Sequence, residues 1–199
     1  MSSPITGGRL EKHTEHATVE FRGETIGYEK TFYRCVDTGF EFVDEELEKA
    51  NLKKVYDTYR RNHSIPLAEE LKEMRERYGI PASAMSLILG LGENQFGLYE
   101  DGVVPSPSVG KLLALAMVPE NMMDMLLSAR PVLSDKQYGK YFSAIDAISR
   151  AEIYEVEAKS IEEYEIMATS LPSGIIINNE SEKSKRKIPY GEYIYAPAC

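Results

Sequence analysis

The chain is short of the residues that staple small secreted folds. It has two cysteines, Cys35 and Cys199, which make no disulfide framework, so free thiols in a reducing compartment are expected. No stretch approaches the roughly 18 consecutive apolar residues of a membrane span. The opening MSSPITGGRLEKH lacks the apolar core of a signal peptide. Together these absences suggest a cytoplasmic protein with no membrane association. Cations are also scarce: no Lys or Arg lies between residues 80 and 110, and the net charge is −9. That sign opposes binding to a phosphate backbone. The three histidines, His13, His16 and His63, have no paired serine or cysteine in a catalytic motif. Gly90-Leu91-Gly92 sits between helical patterns rather than after a strand, which fails the context of a nucleotide-binding loop. The glutamates of 152–165 read as a solvated helix face. Nothing assembles into a catalytic site, and the chain is expected not to be an enzyme.

What is present is ordinary globular material. The chain has 199 residues, 43% hydrophobic and 28% charged, enough for one good-sized domain or two small ones. Residues 17–22, 25–28, 31–36 and 40–43 alternate like four short strands, with Gly23-Glu24 and Thr38-Gly39 as turn signals. At Asp44 the period changes to helical. Asp44 is placed to cap a helix through Leu47, Val55 and Tyr59, and Asn62–Pro66 breaks it. Residues 67–78 predict a second helix ended by Gly79. After Pro107 come helices at about 108–117 and from Pro119, whose methionines at 117–125 are read as core rather than as an adaptable binding surface. Ser134 is placed to cap a further helix over 135–149, continuing or restarting through 167. Beyond Ser170 the pattern suggests a two-stranded hairpin or an arm that orders on a partner.

The most informative stretch is Ile80–Pro107, IPASAMSLILGLGENQFGLYEDGVVPSP. Its spacing predicts a helix over 81–89 with Met85, Ile88 and Leu89 on one face. A glycine turn with Leu91 as its plug follows, then a short helix with Phe96 and Tyr99 pointing inward. That leaves Asn94, Gln95, Gly97 and Leu98 towards the outside. Two helices at this spacing form a helix-turn-helix.

Gly90-Leu91-Gly92-Glu93-Asn94-Gln95-Phe96, with Tyr99-Glu100-Asp101-Gly102 and Pro105-Ser106-Pro107, resembles the Xre-type, lambda-repressor-like fold. Over residues 3–130 the chain resembles more closely the MqsA-type (YgiT-like) antitoxins and autorepressors, which join an N-terminal zinc ribbon to such a domain. That family's ribbon uses two Cys-x-x-Cys-Gly knuckles, because tetrahedral zinc takes four thiolates from two tight turns. Here the matching positions read Ser3-Pro4-Ile5-Thr6-Gly7 and Cys35-Val36-Asp37-Thr38-Gly39. One thiol with hydroxyls makes a poor zinc site, so a metal-free, zinc-ribbon-like module is expected, with His13 and His16 as surface residues and no cofactor.

The expectation is thus an α+β chain. It comprises a degenerate zinc-ribbon-like antiparallel β module (1–45), a linking helix (46–66), an Xre-like helix-turn-helix domain (67–130) and a helical and β-hairpin extension (131–199). Asn94 and Gln95 are the candidate readers of adenine edges, although Asn94 could instead simply cap its helix. Ser83, Ser86 and Lys111 are the candidate phosphate contacts. The resemblance implies a homodimeric regulator of double-stranded operator DNA with a toxin protein as partner. The acidic balance and the missing arginine of the second helix keep open a protein-interaction module that has the fold without DNA binding.

Overall fold

The computed structural model describes residues 7–170. Ser3–Thr6 of the first knuckle and the expected C-terminal hairpin lie outside them. The chain divides into two compact units after Tyr154. The first is mixed α+β: a three-stranded antiparallel sheet followed by helices.

The sheet corrects the expected strand pattern. Two long strands, β1 (Leu10–Phe21) and β2 (Glu24–Cys35), replace the first three short ones, and β3 (Glu41–Phe42) has two residues. The order is β1-β2-β3. The expected gap between the second and third strands, Glu29-Lys30, is paired like the rest, and Gly27 is an ordinary strand position opposite Thr18. The His16 ring lies against it, and a Cβ there would come within 3.1 Å of His16 Cε1. The hairpin turn is Arg22-Gly23, with φ of 53° and 81°. A two-residue loop with both φ positive matches the right-handed twist of the strands it joins.

Asp44 caps α1 (Glu45–Asn62), its Oδ1 accepting from the Leu47 N–H at 2.8 Å. One face of α1 buries Leu47, Val55 and Tyr59. Asn51 on the same helix behaves as a surrogate strand: its Oδ1 accepts from the Thr31 N–H at 2.9 Å and its Nδ2 donates to the Thr31 carbonyl at 2.7 Å. Lys54 Nζ donates to the Glu29 carbonyl at 2.6 Å. The outer edge of β2 beyond β3 is therefore closed by helix side chains.

Helix α2 (Ala68–Tyr78) ends at Gly79 in the left-handed region, φ 62°, as its position predicts. Two short helices follow, α3 (Ala82–Ile88) and α4 (Gln95–Glu100). Then come α5 (Pro107–Ala116) and α6 (Pro119–Ser128), both opened by proline at the first position, where a missing N–H costs nothing. Arg130–Val132 form a single 3₁₀ turn, and α7 runs unbroken over Asp135–Ser170. Ser134 caps α7, accepting from the Gln137 N–H at 3.3 Å.

Leu71, Met74, Tyr78, Met85, Phe96, Leu113, Met122 and Leu126 are buried together, with Tyr141 and Ile145 of α7. Met122 is fully buried, and Met117, Met123 and Met125 pack against the same core, so the methionines build core as expected. A second cluster of Ile26, Val55, Tyr59, Ile65 and Val104 ties the sheet to α1 and to the segment after α4. Among the described residues no helix is long and apolar enough to cross a membrane.

Candidate nucleic-acid interface

The turn from α3 to α4 is built by backbone bonds and one serine. Gly90 takes φ 63°, and the Leu91 N–H donates to the Ser86 carbonyl at 2.8 Å. Ser86 is 1% exposed; its hydroxyl donates to the Ala82 carbonyl at 3.1 Å and accepts from the Phe96 N–H at 3.0 Å. It thereby supplies the acceptor that the first turn of α4 needs, a capping role performed from the preceding helix. The expectation that Ser86 contacts phosphate is corrected here. The residue is enclosed, its proton is donated to Ala82 and its oxygen accepts from Phe96, all within the fold.

Asn94 stands at the N-cap position with φ 58°, a left-handed conformation that asparagine tolerates better than most side chains. Its carboxamide makes no capping bond. The side chain is exposed and has no hydrogen-bond partner among the described residues. The capping alternative is thus resolved: the position is a cap, but Ser86 does the capping. Gln95 is half-buried, and its Oε1 accepts from the Tyr99 hydroxyl at 3.2 Å, leaving its NH₂ group to donate outward. Phe96 and Tyr99 are buried, and Leu98 is 44% exposed. Gly97 faces α3, where a Cβ would sit 3.9 Å from Ala82 Cβ. Ser83 on α3 and Lys111 on α5 are exposed. Asn94, Gln95 and Leu98 therefore share the outer face of α4, with Ser83 on α3, which packs against α4, and Lys111 on α5.

Three arginines that the sequence pattern does not single out fix the end of α4 and the loop after it. Arg60 is 1% exposed and donates to the carbonyls of Pro66 (2.6 Å), Tyr99 (3.0 Å) and Val103 (2.8 Å). Burial lowers its pKa from the ordinary arginine value, yet a guanidinium stays protonated at any physiological pH. Arg22, in the hairpin turn, donates to Pro105 and Val104 carbonyls, both at 2.7 Å. Arg75 Nε donates to Glu100 Oε1 at 2.6 Å. Arg60 and Arg75 satisfy a carbonyl and a carboxylate at the end of α4, which is too short to hold itself, and Arg22 satisfies two carbonyls of the loop after it.

The charge around this face is sparse. From Ile80 to Ala129 the only cation is Lys111, whereas Glu93 and Asp101 are exposed. Glu100 is neutralised by Arg75. A cleft of about 700 Å³ opens beside the loop, lined by Arg22, Lys53, Tyr56, Glu69, Asp101 and Val103 among others. Lys53 there bridges Asp57 and Glu69 at 2.6 and 2.8 Å. Its hydrogen bonds to Asp57 and then Glu69 hold its pKa above the ordinary lysine value, and the same contact holds the Glu69 carboxyl below its own. That cation already has its counter-charges.

The histidines of the β module do not converge on a metal position. His13 and His16 stand three apart on β1 and so point to opposite faces of the sheet. His13 stacks on Phe32 at 5.8 Å, and His16 Nδ1 lies 3.4 Å from Glu29. Cys35 is buried at the end of β2, and the Gly39 N–H closes a turn back to its carbonyl at 2.8 Å. The turn holds one thiol, and among the described residues no three His, Cys, Asp or Glu side chains come together to hold a metal ion. No family model and no curated protein matches the chain.

Proposed function

We propose that the chain is a DNA-binding transcriptional regulator of the Xre helix-turn-helix kind, with α4 as its recognition helix. In this reading it is an antitoxin-like autorepressor in the cytoplasm, homodimeric on a double-stranded operator, with a toxin protein as partner and without metal or catalysis. The observation that carries the reading is the exposed, unbonded Asn94 carboxamide at the start of α4. An asparagine so placed can bond bidentately to the N6 and N7 edge of adenine, worth about 1–3 kcal/mol of discrimination. Gln95 supports it as a second donor, and Ser83 and Lys111 are the phosphate contacts. The resemblance of Gly90–Phe96 and Tyr99–Gly102 to the MqsA-type motif gives the toxin role.

The test is binding of purified protein to its own promoter fragment, titrated against salt. With few cations on this face the slope is expected to be shallow but measurable, about 0.9 log unit per neutralised phosphate for each log unit of salt. Asn94→Gly is the informative variant, since glycine takes the left-handed backbone without strain. Loss of about tenfold or more in operator affinity with unchanged folding is expected. An operator affinity unmoved by Asn94→Gly would sink the assignment.

A second reading has its own observation. Leu87, Leu98, Val103 and Leu115 are each 44–53% exposed on α3, α4, the following loop and α5, and Leu87 and Leu115 line a groove of about 560 Å³ with Met125 and Val132. Apolar exposure with one cation suits a protein-interaction module that keeps the repressor fold without DNA. No promoter binding even at low salt selects this reading.

A further inference from the structure

Strand β1 lies at the edge of the sheet, and its backbone groups on the outer side can be identified residue by residue. Phe21 pairs with Glu24 around the two-residue turn, and in such hairpins the closing pair exchanges both of its hydrogen bonds. Bonded pairs then alternate, so Val19, Ala17, Glu15, His13 and Glu11 point their N–H and C=O at β2. Lys12, Thr14, His16, Thr18 and Glu20 point theirs outward. The other side of the hairpin corroborates this parity, because the outward groups of Thr31 on β2 are the ones that Asn51 bonds. The β2 edge is thus closed by α1 and β3, whereas β1 offers a long run of outward donors and acceptors. The side chains of Lys12, Thr14, His16, Thr18 and Glu20 are all exposed.

We propose that the outer edge of β1 pairs antiparallel with β1 of a second copy of this chain, centred on His16, to give a continuous six-stranded sheet. Outward residues must meet outward residues, which permits only registers two residues apart. With His16 facing its own copy on the axis, Lys12 faces Glu20 of the second copy and Thr14 faces Thr18, each twice by symmetry. The intervening pairs are Glu11–Phe21, His13–Val19 and Glu15–Ala17. Opposite charges and Thr–Thr pairs directly across a ladder stabilise it, and no like charges are opposed. Shifting the register one step towards the N-terminus sets Glu15 against Glu15. The step towards the turn leaves Lys12 without a partner and no charge pair at all. The centred register also runs over residues 11–21, nearly the whole strand, with about ten new backbone bonds. Such isologous pairing is what a twofold dimer requires.

This deepens the homodimer within the reading above by naming its surface, and it is testable without DNA. The full chain is measured by sedimentation equilibrium over a range of concentrations. The expected result is a monomer–dimer equilibrium in which Lys12→Glu and Glu20→Lys each weaken the dimer by about tenfold, as two attractive pairs become repulsive. The two substitutions together should restore the wild-type constant, which happens only if positions 12 and 20 face each other. Thr18→Pro removes an outward N–H while sparing the bonds to β2 and should give a monomer that keeps the wild-type circular dichroism. A wild-type chain that stays monomeric, or a dimer indifferent to both charge substitutions, would overturn the proposal. A monomer that still binds the promoter would leave the regulator reading standing, and a dimer that ignores DNA would leave the edge pairing standing.

Discussion

Tyr78 closes α2 with its ring wholly buried and its hydroxyl donating to the Ala116 and Met117 carbonyls at 3.3 and 3.2 Å. Burial pushes its pKa up to about 12, because a phenolate could not be solvated there and would face two carbonyl oxygens. In the unfolded chain the same group titrates near 10. The sign follows directly: the neutral hydroxyl is favoured by the fold, so its contribution is complete below about pH 10 and is lost as pH rises through about 12. Thermal melts from pH 8 to 12 should show wild-type stability falling across that window relative to Tyr78→Phe. Below pH 10 the phenylalanine variant should be the less stable, having left two carbonyls without their donor. A constant difference between the two across the whole range would show that the fold does not raise the Tyr78 pKa. The same reasoning by single atoms separates Ser86 from Ser83. They are three residues apart in one short helix, but Ser86 is enclosed and bonded to Phe96 while Ser83 is exposed. Helical spacing alone cannot distinguish a hydroxyl that faces solvent from one that caps the next helix.

At the scale of elements, legibility followed the range of the interaction. Asp44, Gly79 and Ser134 do in the structure what their chemistry predicts, because a cap bonds within a few residues of itself. Phe96 and Tyr99 are buried and Asn94 exposed, as the spacing of two aromatics on a short helix implies. The strand bounds differ at Glu29-Lys30, which the alternation leaves between two short strands but which pair with His16 and Glu15 within one long strand. Arg60 was illegible for a different reason: its acceptors are backbone carbonyls up to 43 residues away, and a carbonyl leaves no mark in sequence. Gly110 shows the same limit on α5. In an exposed helix, glycine to alanine stabilises by about 1 kcal/mol. Here a Cβ would meet Ile65 Cγ1 at 2.6 Å, and Ile65 is itself buried against Val55, Tyr59 and Val104. Gly110→Ala is therefore expected to destabilise by about 1–3 kcal/mol, the usual cost of overpacking, measured as a shift in denaturant midpoint at constant slope. The cost of Gly110→Ala should be smaller in an Ile65→Ala background, which removes both Cγ1 and Cδ1. A Gly110→Ala variant more stable than wild type would mean that Ile65 moves aside freely.

For the first unit as a whole, the sheet, α1 and the helices are joined through one loop. The segment after α4 receives Arg22 from the hairpin turn and Arg60 from α1, and Val104 is buried in the cluster that contains Ile26 and Val55. Arg22 also lies over the rings of Phe21 and Tyr59, at 5.4 and 5.5 Å. Its planar fork matches two carbonyls at once, which an ammonium cannot do. The two arginines differ in how much of the fold depends on them. Arg60 is enclosed, so Arg60→Met strands the carbonyls of Pro66, Tyr99 and Val103 away from water and is expected to cost about 3 kcal/mol. Arg22 sits at an exposed turn, and its removal lets water reach Val104 and Pro105. Arg22→Ala should accordingly cost only about 1 kcal/mol of global stability while freeing the loop locally. Amide hydrogen exchange separates the two effects: in Arg22→Ala the protection of Val103, whose N–H donates to the Leu98 carbonyl, should drop well below that of the α2 and α5 core, whereas Arg60→Met lowers both together. Equal loss of protection throughout the Arg22→Ala variant would mean that the hairpin turn is as deeply coupled to the helices as the buried clamp is. If instead the loop alone loosens, Arg22 holds only the loop after α4, while Arg60 holds the end of α4 together with the fold as a whole.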